Sequence, residues 1–231
     1  MNKLYEKDEL FDFVNDEKTD IDFNNLYPLA IDPDSEVRQL VAELLAKDRT
    51  PRGEDVLIDL LRDEDELVRA EACDSLNYYK GTKVLAAIMF SLKDDESEIV
   101  RSYALLSYWD VSINSEMPLD SIACTLSELF DSEKSLQVKL NYAGLLYLCG
   151  NLDMLDYLLQ GLDNADHYIR NTVMDNLVKI SKAENIHLLQ AKLKPYYDKE
   201  SAGFVKRKIE AFLSYTDDMP DRLKNKQGRI D

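Results

Sequence analysis

An apolar residue followed by a basic one returns six times along the chain: Val37-Arg38, Val68-Arg69, Val100-Arg101, Val138-Lys139, Ile169-Arg170 and Val205-Lys206. The basic members lie 31, 32, 38, 31 and 36 residues apart. Three positions after each stands an apolar or small residue (Val41, Ala72, Ala104, Tyr142, Val173, Ile209). Seven positions after it stands another (Leu45, Leu76, Tyr108, Leu146, Leu177, Leu213). Offsets of −1, +3 and +7 share one side of an α-helix. A helix of this kind buries its apolar stripe only against its neighbours, so the repetition demands a serial stack.

Each signature helix follows a shorter helical stretch, which makes the unit a pair. Residues 53–62 lead into 65–79, 81–93 into 97–111, 118–131 into 135–149, 151–162 into 166–181, and 183–198 into 202–215. The first signature helix, about 34–47, is preceded by the short stretch Asn24–Ile31. Residues 1–23 read as an N-terminal capping segment, with Leu10, Phe11 and Val14 as a weak apolar stripe; its first 20 residues either shield the first repeat or are loosely ordered. Residues 24–215 form the array, and 216–231 a polar tail. Four positions before the basic residue stand Asp34, Asp65, Ser97, Ser135, Asp166 and Ala202. Five of these six can accept a bond from the orphan N–H groups at a helix start. Gly53, Gly81, Gly150 and Gly203 are placed between helices, where the chain turns.

The segments DSEVRQLVAELL (34–45), DELVRAEACDSL (65–76), SEIVRSYALLSY (97–108), SLQVKLNYAGLL (135–146), DHYIRNTVMDNL (166–177) and AGFVKRKIEAFL (202–213) resemble the second helix of the HEAT repeat. They are most similar to the short HEAT-like units of bilin lyase subunits and of other bacterial proteins. The fourth and sixth depart from the pattern, with Lys139 and Lys206 in place of Arg and Ala202 at the cap. The resemblance implies an all-α fold, a right-handed α-solenoid of about six antiparallel helix pairs, with second helices lining the concave side. It implies little about function, because such arrays serve unrelated roles.

Charge narrows the partners. There are 45 acidic and 28 basic side chains, for a net charge of −17. Residues 1–115 carry −14 of this, and the stretch 179–231 carries +4. Nucleic acid binding needs a basic stripe, which the acidic half lacks. An acidic surface suits a basic protein, or serves only to keep the molecule solvated. Cys73, Cys124 and Cys149 are odd in number and form no CxxC motif, so we expect reduced thiols. No apolar run reaches the roughly 20 residues of a membrane span. The expectation is a cytoplasmic protein that does not bind membranes; the sequence leaves the oligomeric state open, with a monomer favoured.

The recurring arginines have two readings: a basic ladder for phosphate, or structural rungs that pair with acidic residues in the inter-helix turns, such as Asp34, Asp65, Asp94 or Asp166. The structural reading is the stronger, since a guanidinium bonds a carboxylate bidentately. The acidic runs Asp63–Glu66 and Asp94–Glu96 read as solvated turns. Only two histidines occur, His167 and His187, and neither has a partner at metal-ligand spacing. No Gly-rich phosphate loop, nucleophile elbow or HExxH motif appears. We therefore expect no catalytic constellation, no metal and no cofactor.

A binding face remains. Offsets of +2, +5 and +9 from the basic residue point away from the buried side and collect Glu43, Glu71, Asp74, Tyr78, Tyr103, Asp110, Asn141, Asp175 and Lys179. Tyr78, Tyr79, Tyr103, Tyr108 and Trp109 cluster in the second and third units, with Tyr108 at a core position. We expect partner binding through Glu43, Glu71, Asp74, Tyr78, Tyr103, Trp109, Asp110, Asn141 and Asp175, because tyrosine and tryptophan anchor interfaces at low entropic cost. The alternative for the tyrosines is that they fill gaps between repeats. The function this suggests is a non-catalytic protein-interaction module, or more sharply an immunity protein that neutralises a basic toxin such as a nuclease. Two enzymatic readings follow from the resemblance alone: a glycosylase acting on alkylated DNA, for which Trp109-Asp110 is the one aromatic-acid pair singled out, and a bilin lyase.

Overall fold

The computed structural model describes residues 4–16 and 20–215; the expected tail at 216–231 lies outside them. Among the described residues every regular element is helical. In chain order they are α1 (Lys7–Asn15), α2 (Phe23–Leu26) running into a 3-10 turn (Tyr27–Ile31), α3 (Ser35–Leu45), α4 (Pro51–Leu60), α5 (Glu66–Leu76), α6 (Thr82–Asp94), α7 (Glu98–Asn114), α8 (Leu119–Ser132), α9 (Leu136–Leu148), α10 (Met154–Gln160) with a 3-10 turn (Gly161–Asp163), α11 (His167–Ile180), α12 (Ile186–Tyr197) and α13 (Gly203–Leu213). The chain divides into two compact units, up to Ile122 and from Ala123 onward, with the division inside α8.

In the first unit the signature helices stack in order, α3 on α5 and α5 on α7, while α4 packs on α5 and α6 on α7. In the second, α9 packs on α11 and α11 on α13, with α10 against α9 and α12 against α13. This is the α-solenoid scheme of serial helix pairs. The −1, +3 and +7 positions build the cores: all are buried except Ile169 and Leu213, which are half-buried. A fully buried leucine contributes roughly 1.5–3 kcal/mol, so each repeat is held mainly by its neighbours. Residues 7–15 form α1, which packs on α3 with Leu10 fully buried, and Lys7 pairs with Asp34 at 2.8 Å.

The expected helix starts hold. Asp34, Asp65 and Asp166 accept from the backbone N–H two residues on, and Ser97 and Ser135 from the one three residues on. Ala202 caps nothing. Gly81 and Gly150 have φ of 106° and 100°, which suits their turns. Gly53 does not lie between helices: it is inside α4, where a Cβ would collide with Asp48 and come within 2.6 Å of the Tyr79 hydroxyl.

The arginines are structural rungs, with acceptors other than those expected. The Arg38 guanidinium donates to both oxygens of Asp63 at 2.7 Å. Arg69 does the same to Asp95 at 2.8 and 3.0 Å, and Arg170 to Glu200 at 2.7 Å. Each acceptor lies in the turn before the next signature helix. Its carboxylate also accepts the N–H of that helix's cap residue: Asp65 for Asp63, Ser97 for Asp95, Ala202 for Glu200. The third guanidinium nitrogen bonds the carbonyl six residues back, at Asp32, Asp63, Asp95 and Asn164 for the four arginines. Asp34, Asp65 and Asp166 are not rungs because they are spent on capping. Asp63 and Asp95 are not solvated either, with only 8% of each side chain exposed. Burial pushes the Asp63 carboxyl up, but the Arg38 bond and the Asp65 N–H outweigh it and hold it below the usual range. At the repeat where Arg is replaced by Lys139, the acceptor position holds Asn164, and Lys139 lies over the Phe130 ring at 5.2 Å.

Candidate partner-binding face

The site is built from the exposed sides of α3, α5 and α7. Residues at equal offsets on stacked second helices come side by side, because each helix repeats the orientation of the last. Glu43 from α3, Glu71 and Asp74 from α5, and Tyr78 from the turn after α5 line one cleft of about 320 Å³, together with Ala46, Lys47, Arg49 and Ser75. Tyr78 and Tyr103 expose 51% and 41% of their surface, leaving ring faces open to a partner.

Among the described residues the three carboxylates have no cationic partner within ion-pair distance. Burial comes first among the causes that raise all three above the ordinary carboxylate range, although the Lys47 charge acts on Glu43 and draws its carboxyl down. Glu71 is pushed furthest, to about 7, by burial and by the charges of Glu43 and Asp74, against a hydrogen bond from Gln39. Burial also raises the Tyr103 phenol, and the Asp74 and Glu71 charges add to it, which ties α7's ring electrostatically to α5's carboxylates. Desolvated negative charge next to exposed aromatic rings is the arrangement that favours an incoming cation.

The remaining expected residues are placed differently. Trp109 is partly buried and Asp110 exposed, further along α7, and neither lines the cleft. Asn141 and Asp175 belong to the second unit and are engaged there. Asn141 accepts from Asn176 at 2.9 Å, while Asp175 accepts from Lys208 at 2.5 Å and from Asn171 at 2.9 Å. Lys179 is partly buried in α11. Tyr79 is a packing residue, its hydroxyl donating to the Leu45 carbonyl at 2.8 Å. Tyr108 is buried as expected. Lys47 and Arg49 were missed, because they sit in a turn that helical periodicity does not describe.

Among the described residues no group of three or more His, Cys, Asp or Glu could hold a metal ion, and all three cysteines are free thiols. No described helix is long and apolar enough to cross a membrane.

The family profile for HEAT repeats matches residues 24–108. This stretch is made of HEAT repeats. It contains the whole cleft and Tyr103, so the candidate site is carried by the HEAT repeats themselves. Two solved structures are similar over most of the chain. One is the complex of CpcE and CpcF of phycocyanin lyase from Nostoc sp. PCC7120, at 14% identity and a TM-score of 0.48, covering 90% of this chain and 80% of that one. The other is the archaeal HEAT-like repeats protein from Thermococcus onnurineus NA1, at 17% identity and a TM-score of 0.45, covering 96% and 99%. No curated protein matches the chain.

Proposed function

We propose that this protein is a non-catalytic interaction module that captures a basic protein on the α3–α5–α7 face of its HEAT repeats. The observation that carries the reading is the half-buried triad Glu43, Glu71 and Asp74, which has no ion-pair partner among the described residues and is flanked by exposed Tyr78 and Tyr103. A buried carboxylate without a counter-charge costs stability, and a cation from a partner removes that cost. The acidic N-terminal half, with its net −14, steers such a partner toward the site. Neutralisation of a basic toxin is one role that this chemistry suits.

Binding of a nona-arginine peptide, followed by fluorescence anisotropy across a salt series, tests the reading. Glu43→Gln/Glu71→Gln/Asp74→Asn should weaken binding at least about tenfold, equivalent to about 1.4 kcal/mol. A charge-matched control, Glu98→Gln/Asp120→Asn/Asp153→Asn, should change it less than about threefold. Equal losses in the two triple variants would mean that the peptide reads net charge alone, and the reading would fail.

A further inference from the structure

The turn between α3 and α4 supplies the cleft with a cation of its own. Arg49 has φ 53°, a left-handed conformation that a non-glycine residue adopts only against steric resistance from its Cβ. The turn is clamped around it. The Arg49 N–H donates to the Tyr79 hydroxyl at 3.2 Å, and that hydroxyl donates to the Leu45 carbonyl. Asp48 accepts from the Tyr27 hydroxyl at 2.8 Å and the Thr50 hydroxyl at 2.7 Å. The clamp aims the Arg49 side chain back over α5, where its guanidinium lies 5.4 Å from the centre of the Tyr78 ring. Arg49 is exposed and lines the cleft, yet it reaches none of the three carboxylates at ion-pair distance.

Resting on the binding reading above, we infer that Arg49 is a built-in guard, occupying the Tyr78 ring until an arginine side chain of the partner displaces it and goes on to the carboxylates. The geometry favours arginine over lysine. A planar guanidinium stacks on tyrosine and bonds carboxylates in pairs, whereas an ammonium does neither as well. The intramolecular contact already shows that the Tyr78 ring accepts this group. The cleft, at about 320 Å³, lies at the small end of ligand sites, suited to one long side chain and not to a folded element. The groups facing the site are Glu43, Glu71, Asp74, Lys47, Arg49, Gln39 and the Tyr103 hydroxyl. The guard thus sets a threshold, so that a partner with scattered single charges is held less well than one presenting arginine.

Arg49→Gly tests this cleanly, since glycine adopts the φ this position requires without a Cβ clash and keeps the N–H that bonds Tyr79. Anisotropy with nona-arginine and nona-lysine peptides at equal ionic strength gives the readout, and thermal unfolding checks that the variant folds. Arg49→Gly should bind nona-arginine about fivefold tighter than the parent protein, while the parent should prefer nona-arginine to nona-lysine by a similar factor. Unchanged or weaker binding by Arg49→Gly would overturn the guard while leaving the binding reading intact, provided that the cleft triple variant still loses affinity. Equal affinity for the two peptides would overturn the choice of arginine. If the triple variant also bound as the parent does, or the parent bound neither peptide, both inferences would fall.

Discussion

Replacing Arg69 tests whether the rungs hold the repeats together. Its guanidinium makes two bonds to Asp95, one to the Asp63 carbonyl at 2.9 Å and one to that of Glu64 at 3.3 Å. The two side chains are 10% and 8% exposed. Arg69→Met keeps most of the aliphatic stem but strands the Asp95 carboxylate, and removal of one partner of such a pair costs roughly 3–5 kcal/mol. Asp95→Asn retains an oxygen for the Ser97 N–H and removes only the charge, so its cost should be smaller, roughly 1.5–3 kcal/mol. The double variant has no stranded charge. A double-mutant cycle should therefore return a coupling of about 2 kcal/mol. Urea unfolding followed by circular dichroism supplies the global free energies. Hydrogen exchange should locate the loosening in α5 and α7, the helices that this rung joins, ahead of α3. A coupling below about 0.5 kcal/mol, or protection lost evenly along the unit, would refute the idea that the rungs couple neighbouring repeats.

Other consequences follow from the same geometry. Lys139→Arg with Asn164→Asp restores the missing rung, at the 25-residue separation of Arg38 and Asp63; the pair should stabilise the second unit by about 1–2 kcal/mol and exceed the sum of the single changes, as measured by urea unfolding. Gly53→Ala should destabilise by roughly 1–3 kcal/mol, since its Cβ runs into the Asp48 and Tyr79 side chains; a neutral melting temperature would contradict that packing. Glu71 holds its proton up to about pH 7 in the folded state against 4.5 as its ordinary value, so the folded protein binds more protons in that interval and its contribution to stability falls as pH rises from 4.5 to 7. Glu71→Gln should flatten this part of the profile, and a slope identical in the variant would contradict it. A bound cation favours the charged form, so capture of nona-arginine near pH 6.5 should release protons, detectable by calorimetry in buffers of different ionisation heat.

The stack was legible because burial and repetition reinforce each other: a stripe at −1, +3 and +7 has only a neighbouring repeat to face. The caps were legible for a local reason, since a helix start needs an acceptor within the same few residues. The rung acceptors were not, although a regular signal exists. Asp32, Asp63, Asp95, Glu133, Asn164 and Glu200 all stand six residues before a basic position. In Asp63, Asp95 and Glu200 the side chain serves its own turn and also takes the arginine of the preceding repeat. Proximity to the cap suggested Asp65, but its oxygen already accepts from Leu67. On the candidate face, Glu43, Glu71, Asp74, Tyr78 and Tyr103 were found because equal helical offsets align across stacked units. Arg49 escaped because its direction depends on a bond to Tyr79, 30 residues away, and on a left-handed turn that no periodicity encodes.

The α3–α5–α7 face is where a basic ligand should land. Amide chemical-shift mapping of the whole protein titrated with nona-arginine asks this directly. The largest saturable shifts should fall at residues 43–49, 71–78 and 103, and should be abolished in Glu43→Gln/Glu71→Gln/Asp74→Asn. Shifts centred on the second unit, or spread evenly over the acidic surface, would contradict it.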